Sequence, residues 1–218
     1  MWLLLQLADS AFPAGGFAHS GGLEAAAQLG ELRAPAEVRA FCEQALWQAG
    51  MGALPFVRAA YLRPEEIAAQ DALCQAFLSN HVSNRASRAQ GRAFLATAAQ
   101  VFPGEVIARL DKAVRARTLR GHHAPLFGAV LHALGPSLEE AQRLHLHLTL
   151  RGVSSAAVRL GLLGPHEAQR LQHQLAALLE QVLFTCGSRD LDEVAQPAPQ
   201  LDLVGALHDR LYARLFSS

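Results

Sequence analysis

Histidine is the residue type in this chain best suited to chemistry, and the sequence contains ten. A helix binds one metal ion through two imidazoles when they lie three or four residues apart, because both rings then leave the same face. His145 and His147 are two residues apart and diverge. The adjacent His122 and His123 remain weak candidates for a surface metal site shared between subunits. The spacing therefore predicts no built-in catalytic metal ion.

Two other chemistries lack part of their motif. Gly16 and Gly21 have the spacing of a phosphate-binding loop, but Gly22 and Leu23 stand where the loop requires Lys followed by Ser or Thr. No G-x-S-x-G sequence marks a hydrolase nucleophile. The pattern favours a protein without a catalytic centre, although a small metal-dependent helical enzyme stays open as an alternative.

The stretch 9–24 is too particular in composition for an ordinary loop. Pro13 fixes φ at a turn, and Gly15 allows a positive φ soon afterwards. Phe12 and Phe17 flank this turn, and we expect both to plug it into the core. The sequence therefore predicts a turn that is held in one conformation.

A helix is predicted to follow this turn. Ser20 or Gly21 is expected to cap it, and Glu24 then lies in its first turn, where the helix dipole favours a carboxylate. Ser137 and Glu140 form a capping box that predicts the start of another helix.

The elements that must position these residues are predicted to be helices throughout. Ala and Leu dominate a composition that is 51% hydrophobic, which favours helix over sheet. We expect an all-α fold of about eight to ten helices, with a helical domain over 1–187. A polar, Pro-containing linker is predicted over 188–200, and an amphipathic helical tail over 201–218.

Charge and cysteine usage limit the partners and the compartment. Nineteen basic residues balance nineteen acidic ones, so nothing draws the chain toward nucleic acid or an anionic membrane. The three cysteines are isolated, which is typical of a reducing compartment. No run of 18 apolar residues occurs. We therefore expect a cytoplasmic protein that binds neither nucleic acid nor membrane.

Two surfaces are candidates for binding a partner. Arg85, Arg88 and Arg92 lie at helical spacing and form a basic stripe, which is either a solvated face or a docking ridge for carboxylates and carbonyls. The apolar stripe of the tail needs a groove to occupy. It docks either on its own domain or on a partner, and both alternatives stay open.

Several segments together resemble the urease accessory proteins of the F type over nearly the whole chain. Similar motifs occupy 84–92, 123–129, 151–165 and 208–216. The most specific match is in the N-terminal stretch, at Ser10, Pro13, Gly15, Phe17, Ser20, Gly22, Leu23 and Glu24.

The resemblance implies an all-α, non-enzymatic scaffold that is usually a homodimer. Such proteins bridge the D-type or H-type accessory protein and the G-type GTPase that carries nickel. The assembly inserts nickel into apo-urease, so nickel is its cargo and the F-type protein binds no cofactor stably. Gating of GTP hydrolysis is a further implied role. A helical adaptor unrelated to nickel is the remaining alternative.

Combining the residue patterns with this resemblance gives a set of expected partner-binding residues. The tail and the N-terminal turn are expected to dock the D-type partner, and the arginine stripe is expected to contact the GTPase or a second copy of the chain. The set is Ser10, Phe12, Pro13, Gly15, Phe17, Ser20, Glu24, Arg85, Arg88, Arg92, Leu207, Asp209, Tyr212, Arg214, Leu215 and Phe216.

Overall fold

Helices make up nearly all the regular structure of the chain. The computed structural model describes residues 1–218 and contains no strand, so the all-α prediction is confirmed. The helices are α1 (Trp2–Ala8), α2 (Leu23–Gln28), α3 (Pro35–Gln48), α4 (Leu54–Leu62), α5 (Ile67–Phe77), α6 (His81–Val101), α7 (Glu105–Arg115), α8 (His123–Leu134), α9 (Leu138–Arg159), α10 (Pro165–Gln174), α11 (Ala176–Cys186) and α12 (Pro199–Ala206).

The helices number twelve rather than the expected eight to ten because several are short. The helical segment 165–186 is divided at Leu175, which separates α10 from α11. The capping box at the start of α9 is confirmed. The Ser137 hydroxyl accepts a hydrogen bond from the Glu140 amide at 3.2 Å, and the Glu140 carboxylate accepts one from the Ser137 amide at 2.7 Å.

Two hydrophobic clusters form the core, and α9 belongs to both. One cluster is built from α2, α3, α9, α10 and α11 around Leu46 and Leu150. The other is built chiefly from α4, α6 and α8 around Phe94 and Phe127. Ala141 and Leu144 of α9 lie in the second cluster, whereas Leu146, Leu150 and Val153 of the same helix lie in the first. The two clusters are therefore joined by one continuous helix.

Glycine allows the central helices to approach closely. A Cβ on Gly128 of α8 would lie 2.2 Å from the Val57 carbonyl oxygen of α4, far inside van der Waals contact. A Cβ on Gly91 of α6 would lie 2.3 Å from the Gly121 carbonyl oxygen. Any larger residue would force these backbones apart.

The chain after α11 is attached to the domain. In the segment 188–200, predicted to be a linker, the Ala195 amide donates to the Met51 carbonyl at 3.1 Å and Ala198 is buried. The tail was expected to be one helix, but α12 ends at Ala206. A 3₁₀ turn at Leu207–Arg210 and irregular chain follow. No helix has the combination of length and apolar character needed to cross a bilayer.

Candidate functional site

The predicted turn packs on α6, where close backbone packing, a hydrogen bond and aromatic contacts hold it. Gly15 has a φ of 74°, and a Cβ there would lie 2.8 Å from the Ala93 Cβ. The Thr97 hydroxyl donates to the Pro13 carbonyl at 2.8 Å. Phe12 packs against Phe94 and Phe102, with ring centroids 6.4 and 6.2 Å away. The expectation that Phe12 anchors the turn is confirmed.

Phe17 does not lie in the core, where we expected it. Its side chain is 70% exposed, and its ring stacks on the Arg159 guanidinium with the Cζ atom 3.8 Å from the ring centroid. The same guanidinium lies 4.1 Å from the ring centroid of Phe216. Cation–π attraction to a cation at the surface holds Phe17 in place, so the ring stays largely in solvent.

The start of α2 also differs from the prediction. The N-cap position is Gly22, which has a φ of 91° and no side chain to cap the helix. Ser20 still contributes, because its hydroxyl accepts a hydrogen bond from the Glu24 amide at 3.3 Å. The left-handed backbone at Gly22 sets the entry of the chain into α2.

Glu24 lies in the first turn of α2, as predicted, and its buried carboxylate also binds the C-terminal segment. Its carboxylate accepts hydrogen bonds from His208 Nε2 at 3.0 Å, from the Leu215 amide at 2.6 Å and from the Phe216 amide at 3.1 Å. The residue is 1% exposed. A carboxylate at this depth requires such donors, so Glu24 fixes the path of the tail.

Further contacts continue the attachment of the tail. The Ser217 amide donates to the Ala18 carbonyl at 2.8 Å, and the Ser20 amide donates to the Ser218 carbonyl at 2.6 Å. Gln28 Nε2 donates to the Ala213 carbonyl at 2.8 Å. The tail therefore occupies a groove on its own domain, which is the first of the two alternatives that the sequence left open.

Some tail side chains nevertheless point into solvent. Tyr212 is fully exposed, Leu215 is about half exposed at 53%, and Leu207 is half buried. The structure thus brings the expected turn residues and tail residues together, with their backbones hydrogen-bonded and part of their apolar side chains outside.

The basic stripe on α6 is only partly free. Arg85 donates to both carboxylate oxygens of Asp209, at 2.7 and 3.0 Å. This pairing, with help from His81, lowers the pKa of Asp209 to about 2. Arg214 lies 3.5 Å from the same carboxylate. Arg85 is therefore engaged by the tail of its own chain.

The other two arginines of the stripe point elsewhere. Arg92 donates to the Arg120 carbonyl at 3.2 Å, and the Nε of Arg88 is buried without a hydrogen-bond partner. The stripe therefore does not act as one free surface, because each guanidinium has a different environment.

The two histidines proposed as weak surface metal ligands are buried. His122 is fully buried, with its ring nitrogens 3.1 Å from the Ser87 hydroxyl and 3.0 Å from Gln75 Oε1. His123 packs against Phe94, and its ring lies 5.5 Å from that of His145. Both are unavailable at the surface, so that hypothesis is wrong. No group of three or more His, Cys, Asp or Glu side chains is arranged to hold a metal ion.

A groove of about 720 Å³ opens beside the N-terminal turn in 9–24, which is called the motif turn below. The groove contains two arginines, Arg151 and Arg159, that were not in the expected set of site residues. Arg151 and Arg159 of α9 reach the turn from its other side. Arg151 Nη1 donates to the Ala8 carbonyl, and Arg159 Nη1 donates to the Phe17 carbonyl at 2.5 Å. Both arginines lie within the 151–165 motif, which was the available signal. The expected residues in this groove are Ser10, Phe12, Pro13, Gly15, Phe17 and Phe216.

The fold and this arrangement define an all-helical protein whose N-terminal turn is tied to its C-terminal segment. Residues 32–176 match the model of the family described as UreF. The chain is 40% identical over 222 residues to a urease accessory protein F of Arabidopsis thaliana, covering 100% of this chain and 92% of the relative.

A urease accessory protein F of Oryza sativa subsp. japonica is 40% identical over 221 residues, covering 99% of this chain and 84% of the relative. A urease accessory protein UreF of Paenarthrobacter aurescens is 30% identical over 219 residues, covering 99% of this chain and 96% of the relative. The chain belongs to the UreF family.

Proposed function

We propose that this chain is a scaffold for urease maturation. It bridges the D-type or H-type accessory protein and the G-type GTPase while nickel, the cargo of the assembly, is inserted into apo-urease. The chain acts as a homodimer in the cytoplasm and makes no bond itself. Its membership of the UreF family supports this role, since the relatives carry the name of urease accessory proteins.

One structural observation carries the proposal at the level of residues. The motif turn and the tail are joined by backbone hydrogen bonds, yet Phe17, Tyr212 and Leu215 keep exposed apolar surface. Large exposed aromatic side chains on a fixed backbone are typical of binding hot spots, because little conformational entropy is lost on docking. We assign this surface to the D-type partner.

Point substitutions test this assignment better than deletion of the tail. Deleting 201–218 would also remove the buried Phe216 and His208, so lost binding could reflect lost folding. We expect the double substitution Tyr212→Ala with Leu215→Ala to abolish co-purification with the D-type protein. Phe184→Ala is the matched control, because Phe184 is 90% exposed but lies on α11. Equal loss in both variants, or loss in neither, would remove the assignment.

The G-type GTPase is assigned to the face that carries Arg88 and Arg92. Arg88 is half-buried and its Nε–H has no acceptor within the chain, so its guanidinium is suited to donate hydrogen bonds to a carbonyl or carboxylate of another chain. We expect Arg88→Glu to weaken GTPase binding and to change the rate of GTP hydrolysis in the complex, while D-type binding persists. Sedimentation of the wild-type chain tests the homodimer separately.

A further inference from the structure

The groove beside the motif turn contains positive charge and no negative charge. Its walls are the turn, α9 and α10, and they include Arg151, Arg159 and His166. No Asp or Glu lines it. In a chain with equal numbers of acidic and basic residues, this is a local imbalance that another molecule can complement.

The two arginines have unused hydrogen-bonding capacity. A guanidinium has five N–H donors, and each of these arginines makes one hydrogen bond within the chain, to a backbone carbonyl. Neither takes part in any of the ten ion pairs of the chain. Burial lowers the pKa of Arg151, with Asp9 acting in the opposite direction. A partly desolvated guanidinium that has no ion-paired carboxylate forms charge-assisted hydrogen bonds when a carboxylate reaches it.

The lining of the groove is also partly apolar. Phe12, Leu148, Val158 and Phe216 line the same groove. The arginines are eight residues apart on α9, which places their α-carbons about 12 Å apart along the helix. The α-carbons of two residues four apart on an extended chain are about 13 Å apart, which is a similar spacing.

The geometry points to this groove as the docking site for an acidic segment of a partner protein. The segment binds in an extended conformation, with two Asp or Glu residues four apart on Arg151 and Arg159 and apolar residues between them. This inference rests on the proposed function, since it names the chemistry of one partner surface. The groove adjoins the surface assigned to the D-type partner, with which it shares Phe17, and Phe216 of the tail also lines it.

Phosphate is a less suitable occupant than carboxylate. The groove has no lysine, and its apolar lining offers nothing to a fully hydrated phosphate. The net charge of zero gives nucleic acid no general attraction to the chain.

A partner-independent experiment uses two labelled ten-residue peptides built from Gly, Ser, Leu and Phe. One carries two Glu residues four apart, and the other carries Gln at both positions. We expect the Glu peptide to bind the full chain at low salt, to dissociate as salt is raised, and to bind at least about tenfold more tightly than the Gln peptide. Equal binding of both peptides, or no binding of the Glu peptide, would overturn the inference.

Matched variants localise the binding to the groove. Arg151→Gln with Arg159→Gln is expected to weaken Glu-peptide binding at least about tenfold. Arg151→Lys with Arg159→Lys keeps both charges and is expected to restore most of it. Arg143→Gln is the control, because Arg143 also lies on α9 but is exposed and paired with Glu139 and Glu180. Unchanged binding in the double Gln variant, with helical content intact by circular dichroism, contradicts the site.

Two further arms separate the sources of negative charge and the two proposals. If pyrophosphate at an equal concentration displaces the Glu peptide, the groove is a phosphate site and the inference of an acidic protein segment is overturned.

The double Gln variant is then tested for assembly with the D-type and G-type proteins. If the wild type assembles and the variant assembles equally well, the groove is not the docking site. If the wild type assembles with neither, the proposed function fails while the peptide result still decides the groove.

Discussion

Glu24 is the single residue on which the contact between the two ends of the chain depends most. Its carboxylate accepts three hydrogen bonds from the tail, two of them from backbone amides that no other side chain satisfies. Replacing one buried carboxylate oxygen by an amide group turns an acceptor into a donor facing other donors. The local cost is therefore larger than that of one lost hydrogen bond.

We expect Glu24→Gln to lower the free energy of unfolding by about 2–4 kcal/mol. Hydrogen exchange should accelerate at the Leu215 and Phe216 amides, because these lose their acceptor. Glu31→Gln provides the control, since Glu31 is exposed and makes no side-chain hydrogen bond. Protected Leu215 and Phe216 amides in the Glu24 variant would contradict the assigned role.

The buried imidazoles make stability depend on pH. Burial, with a smaller contribution from neighbouring histidines, lowers the pKa of His123 to about 3, and burial lowers that of His145 to about 4. The unfolded chain, in which His has a pKa near 6.5, therefore binds more protons than the folded chain between these values. This contribution to stability is complete above about pH 6.5 and declines as the pH falls toward 4.

The measurement is the urea midpoint at several pH values between 7.5 and 4.5. We expect the free energy of unfolding to fall with decreasing pH at up to about 1.4 kcal/mol per pH unit for each of these histidines. His145→Asn should reduce that slope by up to about 1.4 kcal/mol per pH unit, which is the contribution of one proton. An identical slope in the wild type and the His145 variant would show that His145 does not titrate as inferred.

At the scale of elements, the packing of α8 on α4 depends on the lack of a side chain at Gly128. A Cβ at Gly128 would meet backbone atoms of Val57 and Tyr61, which cannot move as a flexible side chain would. Gly152 in α9 is the opposite case, because a Cβ there would have no neighbour within 4 Å. The same substitution is thus expected to have opposite signs in two helices.

Gly128→Ala is predicted to destabilise the fold by about 3 kcal/mol, since two helix backbones must separate. Gly152→Ala is predicted to stabilise it by about 0.5–1 kcal/mol, because alanine restricts the unfolded chain and favours helix. Chemical denaturation of both variants measures the difference. A mild effect at Gly128 would mean that α4 and α8 are less tightly packed than the structure indicates.

At the scale of the whole molecule, the two hydrophobic clusters are expected to unfold together. They share α9, and the tail covers part of the first cluster through Val204 and Phe216. Loss of either cluster removes the packing of half of α9, so an intermediate with one cluster intact is not stabilised.

Cooperativity can be measured with Trp47, which packs against the first cluster, in a Trp2→Phe variant that removes the exposed tryptophan. We expect its fluorescence and the far-ultraviolet circular dichroism to give one coincident urea transition. Separated midpoints would show that the clusters unfold as independent units.

The sequence by itself determined the helical class, the capping box of α9 and the held turn at Pro13 and Gly15. Each depends on local chemistry, namely helix propensity, side-chain capping within three residues, and the φ values allowed to Pro and Gly. The exposed position of Phe17 was beyond such reasoning, because hydrophobicity alone favours burial and the cation that stacks on this ring is 142 residues away.

Tertiary structure alone decided which distant residues meet. Glu24 and His208 are separated by 184 residues, and Arg85 and Asp209 by 124. Helical periodicity identifies the face of a helix that is buried, but it carries no information about what that face packs against. The groove with two unpaired arginines and the tail bound to its own domain were therefore visible only after the helices had assembled.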